Sequence, residues 1–337
     1  MRWRIAVAIR GMVKAPRWQI VAALGVIYVI WGSTYVGQRV IAQTTPPLLT
    51  SSVRFLLAGA ILGAVVAARS RSTYPMTTKQ FLGAGALGLL LLPGANGLMV
   101  LGSMTVPAGM AALLGSAMPL WIVVMRSLCG DRPVFLTSVG AGIGILGIGL
   151  LVQSGGGHRG AALNGILLIS VSTILWSFGS FVTPLMDTPR DPLLASTVQM
   201  IAGGVGMAVF GMARGELTAL NVHNIPAQGW WAMVYLSIFG SVLAYSCYLW
   251  LLNRVSISLV STFAYVNPVV AVGLGAILLN EPFTPLMAAG GLTTVGAVAL
   301  VLWSERKSLP VPDEGAVLSG FVAPTDSMKP HSGVIRP

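Results

Sequence analysis

Residues 256–282 read SISLVSTFAYVNPVVAVGLGAILLNEP, an apolar run with Asn267-Pro268 at its middle and Glu281-Pro282 at its exit. A second apolar run 149 residues earlier, 107–133, has Pro119 at its middle and Pro133 at its exit. Small residues surround both internal prolines: Gly115, Ser116 and Ala117 in one, Ser261, Thr262 and Ala264 in the other. Proline inside a helix removes a backbone donor and clashes with the carbonyl four residues back. In a bilayer such a break survives only where protein or a water-filled cavity satisfies the freed groups. Two matched breaks in matched segments therefore point to a midplane binding site, with Pro119 and Pro268 as expected hinges.

Composition agrees with a membrane chain. Of 337 residues, 55% are apolar and 9% charged, against about 25% charged in soluble domains. The 41 glycines fall inside apolar runs, as in closely packed membrane helices. The net charge of +11 is not a nucleic-acid footprint. Arg2, Arg4, Arg10, Lys14 and Arg17 precede the first apolar run, and most other basic residues flank later ones. That is an orientation signal. The two cysteines suggest no disulfide framework, and His158, His223 and His331 are isolated, so no metal and no cofactor is expected.

A span needs about 20 apolar residues. Ten are expected, at 19–41, 47–68, 80–102, 106–126, 134–153, 161–184, 193–213, 229–251, 256–279 and 284–303. With a cytoplasmic N-terminus, 14 Lys and Arg lie inside and 3 outside (Arg39, Arg159, Arg214), so both termini are expected in the cytoplasm. The halves also align elsewhere: Trp31 with Trp176 at an offset of 145, and Gly142 and Gly147 with Gly291 and Gly296 at 149. Five spans per half is an odd number, so the second half enters from the opposite side. The expected fold is an all-α polytopic membrane protein, ten transmembrane helices arranged as two inverted five-helix repeats. The divisions are a basic arm (1–18), a first repeat (19–153), a second repeat (161–303) and a polar, proline-containing cytoplasmic tail (304–337) read as disordered.

The run YVIWGSTYVGQRVIAQTTPPLLTSSVRFLLAGAIL (28–62) resembles the EamA family of the drug/metabolite transporter superfamily. Its recognisable pieces are Trp31-Gly32-Ser33-Thr34, Pro46-Pro47 and Arg54-Phe55. The runs LLLLPGANGLMVLGSMTVPAGMAALL (89–114) and TFAYVNPVVAVGLGAILLNEP (262–282) look like its YedA-like bacterial exporter branch. The resemblance covers about residues 20–303. It implies a ten-helix inner-membrane carrier whose central cavity is lined by spans 1, 3, 4, 6, 8 and 9, exporting amino acids, other metabolites or drugs. Pro93-Gly94 departs from it, interrupting the third span where a smoother helix is expected.

Arg54 is the one charged residue well inside a span, seven residues from Pro47 and so about 10 Å below the surface. Such a charge marks a functional site by default, as a counter-charge or gate. The alternatives are a clamp on backbone carbonyls, or a side chain snorkelling outward. Substrate contacts are expected from Trp31, Trp121, Trp176, Tyr245 and Phe263, whose rings could equally serve ordinary packing, together with Gln38, Asn96 and Asn267. Asn267 beside Pro268 could bond a substrate or the released carbonyl. Glu281 reads as a loop or capping residue. All nine acidic residues fall at span ends, in loops or in the tail, so a buried-carboxylate proton antiport is not expected. No nucleotide-binding glycine loop is present, so no ATP is expected. The expected partners are a small-molecule substrate and the lipid bilayer, with the chain a monomer or weak homodimer. A membrane-embedded lipid-modifying enzyme and a channel are the alternative classes.

Overall fold

In a bilayer every backbone N–H and C=O must be satisfied within the protein, which leaves helices as the answer for apolar runs of this length. The computed structural model describes residues 16–69, 76–130, 133–154, 159–252, 254–255, 260 and 262–308. Most of the basic arm and of the tail lies outside them. Among the described residues there is no strand, and nine helices are long and apolar enough to cross a membrane. They are α1 (Arg17–Thr44), α2 (Pro47–Ala68), α3 (Thr78–Gly102), α4 (Ala108–Leu128), α5 (Phe135–Ser154), α6 (Leu163–Val182), α7 (Pro192–Ala213), α8 (Ala227–Tyr248) and α10 (Pro285–Ser304). The shorter apolar helix α9 (Phe263–Leu279) lies between α8 and α10.

Local signals set the ends. Pro47 and Pro192 open α2 and α7 at a position where a missing N–H costs nothing. Thr77 and Gln80 form a reciprocal capping box at the start of α3. Asn280, at φ 52°, ends α9 in the left-handed conformation that asparagine tolerates, and the Glu281 N–H bonds back to the Gly275 carbonyl.

Packing follows a two-fold pattern. α1 lies against α8 and α9, and its counterpart α6 lies against α3 and α4. The pairs α2–α7, α4–α9 and α5–α10 pack on each other, and α2 touches α8 as α7 touches α3. Glycines permit the close approaches. Gly147 and Gly290 face one another's backbones where α5 meets α10, and between α3 and α7 Gly88 faces the Gln199 backbone while Gly203 faces the Gly88 carbonyl.

Three departures from the expected spans concern the breaks. α4 is interrupted at Ser116–Ala117, so Pro119 lies in the first turn of the helix Met118–Leu128, where its missing donor is harmless. α9, by contrast, runs through Pro268 unbroken and starts five residues ahead of it, at Phe263. Part of the run before α9 lies outside the described residues. The third departure is a pair of π-helical segments, Leu90–Asn96 in α3 and Leu236–Leu243 in α8, which overlap when the halves are superimposed by the 149-residue offset. Pro93 lies inside the first; the second contains no proline. π-segments of this kind concentrate at functional sites.

Candidate functional site

The π-segment of α8 is where two of the expected residues, Trp31 and Arg54, meet. The Trp31 indole Nε1 donates to a carbonyl of this segment, the Gly240 oxygen, at 3.3 Å. The packing here is close: a Cβ at position 240 would lie 3.2 Å from the Thr34 methyl and 3.8 Å from an Arg54 nitrogen. On one side of this turn the Trp31 ring meets Phe263 edge-on, with centroids 4.9 Å apart, and Tyr248 at 5.3 Å. Tyr248 in turn lies 6.2 Å from Tyr245, whose hydroxyl bonds the Ser196 hydroxyl on α7. Tyr28, one turn before Trp31, bonds the Thr262 hydroxyl just ahead of α9. α1, α8 and α9 thus share one aromatic cluster.

On the next residue of the same turn, the Ser241 hydroxyl accepts a 3.1 Å bond from Arg54 Nε. The guanidinium lies over the Phe55 ring, 4.6 Å from its centroid, and Arg54 is 6% exposed. Its Nη1 meets no acceptor among the described residues. Three buried amide oxygens likewise meet no donor: Gln38 Oε1 on α1, Asn96 Oδ1 in the α3 π-segment and Asn267 Oδ1 on α9. Buried polar atoms normally find partners, and an orphan marks a functional group or a site completed by a ligand.

Other expected residues stand elsewhere. Trp121 packs partly buried with Tyr265 against Ala117, Leu120, Ala141 and Val298, in the layer between α4, α5 and α10. Trp176, the counterpart of Trp31, is 38% exposed on α6. A groove of 550 Å³ between α1, α8 and α9, lined by Val29, Val36, Phe239, Leu274 and Leu278 around Ser33 and Tyr235, includes none of the four orphaned groups. Ser241 and Gly240 carried no signal in the sequence beyond being small, and Tyr248 was one aromatic among several.

The end of the bundle where α1 joins α2 is clamped by two carboxylates. Glu281, after α9, accepts from the Ala108 N–H at 2.8 Å and the Gly109 N–H at 3.4 Å, the first amides of α4. Arg39 Nε stands 3.6 Å from the same carboxylate while its Nη1 donates to the Ser103 carbonyl. Glu216, after α7, accepts from the Leu48 and Leu49 amides at the start of α2, each at 2.9 Å. Burial pushes the Glu216 carboxyl above the ordinary range, against the pull of the Leu49 and Leu48 amides and of Arg214. Each carboxylate meets a helix N-terminus, where orphan donors and the helix dipole favour negative charge.

A family model described as the EamA-like transporter family matches residues 17–153 and again 163–303. The chain is 37% identical over 281 residues to a protein of Escherichia coli (strain K12) named the uncharacterized inner membrane transporter YedA, covering 83% of this chain and 89% of that one. It is 23% identical over 297 residues to the uncharacterized transporter YvbV of Bacillus subtilis (strain 168), covering 86% and 93%. A solved crystal structure, 20% identical, superposes with a TM-score of 0.58 over 86% of this chain and 100% of its own, a likeness of fold.

Proposed function

Because the chain belongs to the EamA-like transporter family, we propose that it is a carrier moving a small organic solute across a bacterial inner membrane by alternating access. In this reading both termini are cytoplasmic, transport runs outward, and no ATP is used. The observation that carries it is the asymmetry between the two halves. Trp31 is locked into the α8–α9 cluster, while its counterpart Trp176 is exposed on α6. An inverted-repeat carrier open at one end holds its halves in different conformations, and exchanging them opens the other end. In this reading the closed end is the one clamped by Glu216 and Glu281, and it faces outward.

The test is flux. An overexpressing strain is screened for resistance to amino acids, amines and aromatic acids, and any compound found is studied in proteoliposomes. A carrier gives saturable uptake that accelerates when unlabelled solute is loaded on the far side. Flux linear in concentration would mean a channel, and a chemically altered solute an enzyme.

The hinge reading yields a separate expectation. Pro268 leaves the Ala264 carbonyl without its helical donor, and a proline within a helix costs about 3 kcal/mol. Pro268→Ala is expected to raise the melting temperature and slow turnover severalfold at unchanged affinity. A raised melting temperature with unaltered turnover would make Pro268 a packing residue.

A further inference from the structure

Resting on the carrier reading above and deepening it, we propose that the solute bears an anionic group, a carboxylate, received by Arg54, with an apolar or aromatic body received by the Trp31–Tyr248–Phe263 cluster. A guanidinium is always charged and carries five N–H donors. Placed within a span, it needs a reason to be there. A clamp on backbone carbonyls has a recognisable form in this protein: Arg39 donates to the Ser103 carbonyl, and Arg254 donates to the Trp250 carbonyl while lying on the Trp250 ring. Arg54 has the ring contact but no carbonyl partner among the described residues, its one bond being to Ser241. A snorkelling side chain would be exposed, and Arg54 is 6% exposed. Nor does a carboxylate reach it among the described residues; the ion pair seen there joins Glu281 to Arg39.

The remaining orphaned atoms, Gln38 Oε1, Asn96 Oδ1 and Asn267 Oδ1, are carbonyl oxygens and cannot receive an anion. Among these four groups Arg54 alone carries a charge. The geometry also relates head to body. Ser241 holds the guanidinium, the adjacent Gly240 carbonyl holds the Trp31 indole, and the two contacts flank a single π-helical turn. Because Nη1 is fully covered in this conformation, a solute reaches it only as that turn moves, which ties loading to the conformational cycle.

An inorganic anion could satisfy the same guanidinium, so the test separates the two. The purified full-length chain is melted with phenylacetate, phenylacetamide, phenethylamine or chloride at matched ionic strength. Phenylacetate is expected to raise the melting temperature above the other three, and Arg54→Gln to weaken its apparent affinity at least tenfold, with Arg54→Lys intermediate. Ser241→Ala, which keeps the charge and frees the guanidinium, is expected to weaken phenylacetate severalfold, so the proposal stays testable if Arg54→Gln does not fold. The proposal is overturned if the amide or amine stabilises as well as the acid. It is equally overturned if chloride gives the whole effect, if no carboxylate stabilises the protein, or if the variants leave the preference intact. The readout is binding without flux, so a carrier of cations would pass the flux test above and fail here.

Discussion

Glu281→Ala is expected to release the closed end of the bundle. The change leaves the Ala108 and Gly109 amides without their acceptor and the Arg39 guanidinium without its counter-charge, in a region where the two charged side chains are 14% and 10% exposed. Removing one member of a largely buried ion pair costs about 3 kcal/mol, because the other charge stays desolvated and unmatched. That cost falls on the conformation in which α9 meets the start of α4, and not on one in which they part. The population open at this end should therefore rise by about a hundredfold if it was minor before. A cysteine at Ser103, introduced with Cys129 and Cys247 replaced by serine, reports the change through maleimide labelling in vesicles. Labelling more than tenfold faster in Glu281→Ala than in its parent is the expected result, with Glu281→Gln between them because an amide retains one acceptor. Equal rates would mean that the contact caps a helix and gates nothing.

Gly88→Leu should do more damage still, by preventing assembly. A Cβ at position 88 would lie 2.3 Å from the Gln199 carbonyl oxygen and 2.7 Å from its Cα, both backbone atoms of α7. No rotamer relieves a clash with backbone, so α3 and α7 must separate, and the reciprocal contact of Gly203 with the Gly88 carbonyl is lost as well. Gly142→Leu is the matched control, since nothing lies within 4 Å of the Cβ it would add. Fluorescence size-exclusion chromatography of detergent extracts should give a monodisperse peak for Gly142→Leu and little or none for Gly88→Leu. Similar peaks would show that the α3–α7 contact relaxes more readily than its geometry suggests.

The spans were legible in the sequence because a bilayer allows few structures: a run of twenty apolar residues has to be a helix. Arg54, Gln38, Asn96 and Asn267 were legible for a related reason, since a polar side chain in an apolar span is costly enough to stand out. That α9 continues through Pro268 was not, because proline costs a helix one bond and a neighbouring helix can absorb that cost without ending it. The π-segment of α8 had no cue at all, as Leu236–Leu243 contains no proline and its distortion arises from packing. Trp121 looked like a cavity residue by span membership, yet the interruption at Ser116–Ala117 re-aims the second half of α4, and its ring joins the layer of α5 and α10. Glu281 could be read as a capping residue, but its client helix begins 173 residues earlier, a distance no local pattern spans.

Both clamping acids belong to the second half of the chain, and both helices they serve belong to the first. The position matching Glu281 in the first half is Arg132, a side chain with nothing to offer an amide hydrogen. The related halves thus contribute unlike parts to this end of the bundle, the acids coming from one and the helix N-termini from the other. In the carrier proposed above, these two acids weight the balance between the two postures, so the state in which the molecule waits for cargo depends on a pair of side chains.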